Sequence, residues 1–179
     1  MSVLARVFVA AGSNVEPERH LVRALDELAQ SFGPLQCSPW YRNRAVGFEG
    51  EDFINLVVGF ETPQPVREVL ARLRAIEEHC DRPREAPKWA PRSMDLDILL
   101  YGDLVCREED LVLPRPDLLK RPYMLGPLAD LAPELRHPTV GLTIGQLWAQ
   151  FDRAAHPLTR VPTPTSSRCD PHPRTAPDR

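Results

Sequence analysis

Stretches of period-two and period-3.6 hydrophobicity follow one another along this chain, separated by short polar turns. Val3 to Ala11 is apolar and β-branched and ends at Gly12-Ser13-Asn14, which predicts a buried first strand running into a turn. Pro17 suits a first helical turn, and Leu21, Leu25, Leu28 and Phe32 then recur at helical spacing until Gly33 stops the run. Leu35 to Arg44, with Trp40 and Tyr41, predicts a second strand interrupted or edged by Pro39. Phe53 to Thr62 is the clearest strand: its alternation sends Ile54, Leu56, Val58 and Phe60 to one face, and Phe53 and Asn55 to the other. A second helix is predicted from about Val66 to His79, with Val66, Leu70, Leu73 and Ile76 as its core stripe.

The segment from Asp81 to Arg92 breaks this rhythm. Three prolines stiffen it against helix and strand, while Arg82, Arg84, Lys88, Arg92 and Trp89 decorate it. Alternation resumes at Ser93 to Tyr101, with Met94, Leu96, Ile98 and Leu100 facing one way and Asp95 and Asp97 the other. Leu111 to Pro114 predicts a short strand, and Leu118 to Leu131 predicts short helical turns broken by Pro122 and Pro127. The order β-α-β-β-α-β matches an α+β, ferredoxin-like split β-α-β core, a largely antiparallel sheet with helices packed on one face. The uncovered face then carries Phe53, Asn55, Asp95 and Asp97, with the proline-rich loop folding over it.

Composition narrows the reading. With 179 residues, 42% hydrophobic and 26% charged, the chain fits one domain with a real core. That domain is expected over residues 1–154. Residues 155–179, rich in Pro, Thr, Ser and Arg, are expected to be a disordered tail. A net charge of −3 gives no general footprint for nucleic acid. Cys37, Cys80, Cys106 and Cys169 form no C-x-x-C pair and lie near no ligand-spaced His, so free thiols in a reducing compartment are expected. Neither a signal-peptide pattern nor a membrane-length apolar run is present, and the chain reads as cytoplasmic.

Two carboxylates two residues apart on a strand project side by side, and Mg²⁺ is commonly held by one or two carboxylates plus substrate phosphates. Alone, Asp95 and Asp97 read equally well as a metal site or as an ordinary exposed acidic face. The adjoining arginines tilt the balance, because polyphosphate needs both guanidinium forks and a metal. Phe53 and Asn55 offer a flat surface and an amide for a planar heterocycle. There is no G-x-x-x-x-G-K-[ST] loop, no G-x-S-x-G and no His ligand pattern, which excludes P-loop and acyl-transfer chemistry of those kinds.

From Arg92 to Asp103 the sequence resembles the 6-hydroxymethyl-7,8-dihydropterin pyrophosphokinase family of folate biosynthesis. Gly12-Ser13-Asn14, Phe53-Ile54-Asn55, Ile76-Glu77, Trp89 to Arg92, Arg121 to Leu125, and Leu131-Ala132-Pro133-Glu134 leading to His137-Pro138 follow in the family's order. The resemblance, over roughly residues 3 to 150, implies that a pterin alcohol attacks the β-phosphorus of ATP and AMP leaves. It implies two Mg²⁺ ions on Asp95 and Asp97, with Arg82 and Arg92 stabilising the transferred group. ATP would be held by Glu77, Arg84, Trp89, Arg92, Ile98, Arg115 and Arg121. The pterin would lie between Phe53 and Tyr123 and touch Asn55 and Asp95. It further implies a monomer acting on small molecules, with neither nucleic acid nor membrane as partner. The chain departs from the family in exchanging the two rings, in reading Arg42-Asn43-Arg44-Ala45-Val46-Gly47 before the pterin strand, and in carrying Asp110 and Leu113-Pro114-Arg115-Pro116 near the nucleotide. These departures keep open a relative that binds a pterin or nucleotide without pyrophosphoryl transfer. A ferredoxin-like nucleic-acid module is a third reading, opposed by the two carboxylates on its open face.

Overall fold

The computed structural model describes residues 3–44, 51–80, 94–155, 157–164 and 169–170. Its main elements are β1 (Ala5–Ser13), α1 (Pro17–Phe32), β2 (Leu35–Cys37), β3 (Trp40–Asn43), β4 (Phe53–Thr62), α2 (Val66–His79) and β5 (Asp95–Tyr101). The sheet order β5-β1-β4-β2 is antiparallel at every step, and β3 continues the β2 edge along β4. This is the expected ferredoxin-like arrangement. Pro39 splits the second strand as anticipated, and Ser38 bridges the break: its N–H donates to the Val57 carbonyl and its Oγ accepts from the Val57 N–H, both at 2.9 Å.

The helix-covered face follows from the alternation. Val7, Val9 and Ala11 of β1 join Ile54, Leu56, Val58 and Phe60 of β4 against Leu21, Leu25 and Leu28 of α1 and Leu73 and Ile76 of α2. Pro17 starts α1, and Gly33, at φ 84°, ends it in a conformation that side chains resist. On α2 the fully buried positions are Val69, Leu73 and Ile76, whereas Val66 and Leu70, expected in the stripe, are only partly buried.

The second face departs from expectation because it is half covered. Phe8, Ala10 and Val57 pack there against α3 (Pro122–Leu131) and α4 (Ile144–Gln150) in a core of their own. Pro122 opens α3 rather than breaking it, since a first-turn proline lacks only an N–H that has no partner in the helix. Pro127 lies inside the helix, so the expected series of broken turns is one helix preceded by a 3-10 turn (Pro116–Leu119). Thr143 and Gln146 form a reciprocal capping box that starts α4. The strict alternation of β5 also fails at its end. The register against β1 shifts between Phe8 and Val9, an irregularity that sends both Leu99 and Leu100 to the second core.

The remaining strands are β6 (Cys106–Glu108), β7 (Leu111–Leu113), β8 (Thr159–Val161) and β9 (Cys169–Asp170). β6 and β7 form a separate hairpin. Within the described part of residues 155–179, β8 pairs antiparallel with β3, and β9 pairs parallel with β2. The unpaired edge of the β2–β3 region supplies a template for them despite their weak apolar content. The expectation of free thiols is corrected. Cys37 and Cys169 form a disulfide across 132 residues, which β9 makes possible by bringing their Cα atoms to 5.4 Å; Cys80 and Cys106 take part in no disulfide.

Candidate active site

The open end of the second face is built by small residues on the central strand. Gly12 lies across from Asn55 on β4 and Asp95 on β5, and Ala10 lies across from Val57 and Asp97. Larger side chains there would fill the space between the two neighbouring strands. What remains is a cavity of about 220 Å³ lined by Ala10, Ala11, Gly12, Phe53, Asn55, Asp95 and Asp97 from the sheet. Asn43 of β3, Arg115, Asp117 and Arg121 of the segment entering α3, and Tyr123 and Met124 of its first turn complete it. Phe53, Asn55, Asp95 and Tyr123, the residues expected around a pterin, therefore meet in one place.

Asn55 is buried, and its amide donates to the Asn43 side-chain oxygen. Gly12 is required by contact rather than by backbone angle: a Cβ there would stand 2.4 Å from Asn55 Oδ1. Tyr123 is half-buried, and burial above all holds its phenol protonated beyond its usual range. Asp117 and Asp97 add to that shift, while Arg121 and Arg115 oppose it.

A second cavity, of about 370 Å³, opens on the other side of β5 and is lined by Leu70, Arg74, Glu77 and Glu78 of α2. Leu96, Asp97 and Ile98 of β5 and the stretch Asp110, Leu111, Val112 and Arg115 form its remaining walls. Glu77, Ile98 and Arg115, expected at a nucleotide, meet here, whereas Arg121 lies on the first cavity. Asp97 and Arg115 belong to both. Their closest approach is 3.5 Å, and the same guanidinium lies 3.3 Å from Asp117.

Asp110, the acidic departure on this second cavity, is not a bare charge. Arg67 donates to both its carboxylate oxygens at 2.8 and 2.9 Å and also pairs with Glu108, while Arg74 lies 3.8 Å away. The hydrogen bond from Arg67 holds the Asp110 carboxyl below the usual carboxylate range. Arg82, Arg84, Trp89 and Arg92 fall outside the described residues. Asp117 and Arg67 were not singled out from the sequence, where nothing local marks them, and Asn43 entered only within the stretch that departs from the family.

Among the described residues no group of three or more His, Cys, Asp or Glu gathers to hold a metal. Asp95 and Asp97 offer hard oxygen donors on one partly exposed strand face. That donor set fits a Mg²⁺ ion, which keeps several waters and takes substrate phosphates as further ligands.

Fold and site define an α+β enzyme domain in which an acidic strand end separates two small-molecule cavities. The family model for 7,8-dihydro-6-hydroxymethylpterin-pyrophosphokinase (HPPK) matches residues 8–133, and the chain belongs to that family. It is 40% identical over 150 residues to the 2-amino-4-hydroxy-6-hydroxymethyldihydropteridine pyrophosphokinase of Synechocystis sp., covering 82% of this chain and 76% of the relative. The protein of the same name from Aquifex aeolicus is 34% identical over 137 residues, covering 75% and 85%. The wild-type HPPK-DHPS crystal structure from Plasmodium falciparum superposes with a TM-score of 0.65 at 14% identity, covering 84% of this chain. The chain spans 45% of that longer protein, and the likeness speaks to fold alone.

Proposed function

We propose that this protein transfers the pyrophosphoryl group of ATP to the hydroxymethyl oxygen of 6-hydroxymethyl-7,8-dihydropterin in folate biosynthesis, releasing AMP. The observation that carries this reading is the wall shared by the two cavities. A flat heterocycle in the Phe53–Tyr123 cavity and a nucleotide beside α2 would meet at Asp97 and Arg115. In this reading the hydroxymethyl oxygen bonds to the β-phosphorus and its proton passes to solvent, the bond from that phosphorus to the α-phosphate oxygen breaks, and AMP departs with that oxygen. The protein's part is to hold both partners in line, which accounts for much of such a rate enhancement.

Phe53 and Tyr123 stack on the pterin, and Asn55, fixed by Asn43, hydrogen-bonds its edge. Glu77 and Ile98 bound the nucleotide, with Arg115 and Arg121 reaching its phosphates; Arg84, Trp89 and Arg92 are assigned to the nucleotide as well. Arg82 and Arg92 act on the transferred group. Asp95 and Asp97 would hold two Mg²⁺ ions, which would offset phosphate charge and help orient the alcohol. The pairing of Asp110 with Arg67 and Arg74 removes the main reason for favouring a non-catalytic relative.

The working unit in this proposal is a monomer in the cytoplasm, using small molecules and neither nucleic acid nor membrane. No helix among the described residues is long and apolar enough to cross a membrane, and a net charge of −3 gives nucleic acid little purchase. The Cys37–Cys169 disulfide pulls against a reducing compartment. Thiol counting after an alkylating quench in cells decides that point.

Purified protein given Mg²⁺, ATP and the pterin alcohol should form AMP and the pterin diphosphate ester one for one. Chelation should stop the reaction and added Mg²⁺ restore it. ADP as the sole nucleotide product, or no turnover, would sink the proposal.

A further inference from the structure

Arg115 is held on the wall between the cavities by its backbone. Its N–H donates to the Leu99 carbonyl at 3.0 Å, and its own carbonyl accepts from the Leu118 N–H at 3.1 Å. Movement there is left to the side chain, which stretches between Asp97 at 3.5 Å and Asp117 at 3.3 Å. Its Nε is buried and has no acceptor among the described residues. A guanidinium fork is best satisfied when its parallel donors meet oxygens together, and a buried unmet donor is costly. This arrangement is therefore a resting one that a ligand with clustered oxygens improves.

Asp97 is also one of the two carboxylates assigned above to the metal. A guanidinium and a divalent cation repel each other when both approach one carboxylate. We propose that Arg115 is a stand-in counter-ion for Asp97 in the nucleotide-free protein, and that nucleotide phosphates draw it away. It is thus a positioning residue that makes metal and nucleotide bind cooperatively. Metal alone must compete with the Arg115–Asp97 pair. Once phosphates accept the guanidinium, Asp97 is released and the orphaned Nε gains an acceptor. By linkage, the metal strengthens nucleotide binding by the same factor. Asp117, which pairs with the other branch of the fork, keeps the side chain within reach of both cavities. The inference rests on the functional reading above.

The probe is Mn²⁺, followed by loss of its free-ion EPR signal, on the full chain with and without the α,β-methylene analogue of ATP. Without nucleotide, Arg115→Gln should bind Mn²⁺ about fivefold more tightly than wild type, the scale of a partly exposed ion pair. Arg115→Lys, which keeps the charge, should stay near wild type. With the analogue bound, the advantage of Arg115→Gln should vanish, so the coupling between metal and nucleotide falls by that factor. Equal Mn²⁺ affinity of wild type and Arg115→Gln without nucleotide overturns the proposal, and so does an unchanged coupling. Failure of wild type to bind Mn²⁺ even with the analogue overturns the functional reading itself. Should Arg115→Gln not fold by circular dichroism, the Arg115 Nε–H resonance of wild type decides. It must shift when the analogue is added, and an unmoved resonance overturns the proposal.

Discussion

Glu77 accepts a hydrogen bond from the backbone N–H of Leu96 at 2.8 Å, which ties α2 to β5 at the residue standing between Asp95 and Asp97. Among the described residues β5 lies at the edge of the sheet, where its outward N–H groups meet no strand partner. A carboxylate from the neighbouring helix satisfies one of them and fixes the strand that carries both acidic residues. Glu77 thus has a positional role besides lining the cavity proposed for the nucleotide.

Glu77→Ala should lower stability by about 1–2 kcal/mol, as expected for losing a hydrogen bond to a charged group. It should also reduce turnover by about tenfold through displacement of Asp95 and Asp97. Glu77→Gln keeps an acceptor oxygen and should recover most of both. Chemical denaturation and steady-state kinetics on the two variants check this. Equal losses in Ala and Gln would assign Glu77 to nucleotide charge instead.

Gly12→Ala should push Asn55 out of position, because the added methyl would stand 2.4 Å from Asn55 Oδ1. The clash should cost about 1–3 kcal/mol of stability, the range for overpacking a tight site. More tellingly, affinity for the pterin should fall by at least about tenfold while nucleotide affinity is preserved, as one lost heterocycle contact implies. Titration of pterin fluorescence against each protein measures the split. Unchanged pterin affinity would remove Asn55 from the pterin site.

How much of this was legible in the sequence depended on the range of the signal. Ile54, Leu56, Val58 and Phe60 alternate within one strand, so the helix-covered core could be read directly. Asp95 and Asp97 were legible for the same reason, since period two sends them to one face. The bulge at Leu99 and Leu100 was not, because two adjacent leucines give no sign of which face each takes. Nor could Pro127 reveal a helix that tolerates it through packing against the second core. Cys37 with Cys169, and β8 with β3, are contacts across most of the chain and leave no local pattern. The site follows the same rule: Phe53 and Asn55 were visible on their strand, whereas Asn43, Asp117 and Arg67 matter only through partners supplied by the fold.

Arg67→Ala should leave Glu108 without that partner, and Asp110 with Arg74 at 3.8 Å, beside the cavity proposed for the nucleotide. Because the pair is exposed, stability should scarcely change, but ATP affinity should fall by about fivefold. Adding Asp110→Asn to Arg67→Ala should restore part of the loss. Calorimetric titration with the ATP analogue on single and double variants checks this. Absence of recovery would show that Arg67 acts on the nucleotide directly.

His137 sets a pH dependence of stability. Burial holds its imidazole below the ordinary His range, and its Nδ1 accepts backbone N–H groups from Thr139 and Val140, both at 3.3 Å. The folded form thus favours the neutral ring. This contribution is fully present above the unfolded pKa of about 6.5 and is lost as pH falls from there through the lower folded pKa. Denaturation midpoints should decline across that window in wild type, and His137→Gln should flatten this part of the decline. An identical pH profile for the variant would rule out His137 as the source.

Attack on the β-phosphorus carries that phosphorus to the pterin across the Asp97–Arg115 wall, and ATP labelled there is the direct probe. With Mg²⁺ and the pterin alcohol, the label should pass to the pterin ester and none should appear in ADP. Asp97→Ala should halt the transfer while leaving the fold intact by circular dichroism. Label recovered in ADP, or an Asp97→Ala protein that transfers at near wild-type rate, would contradict the account.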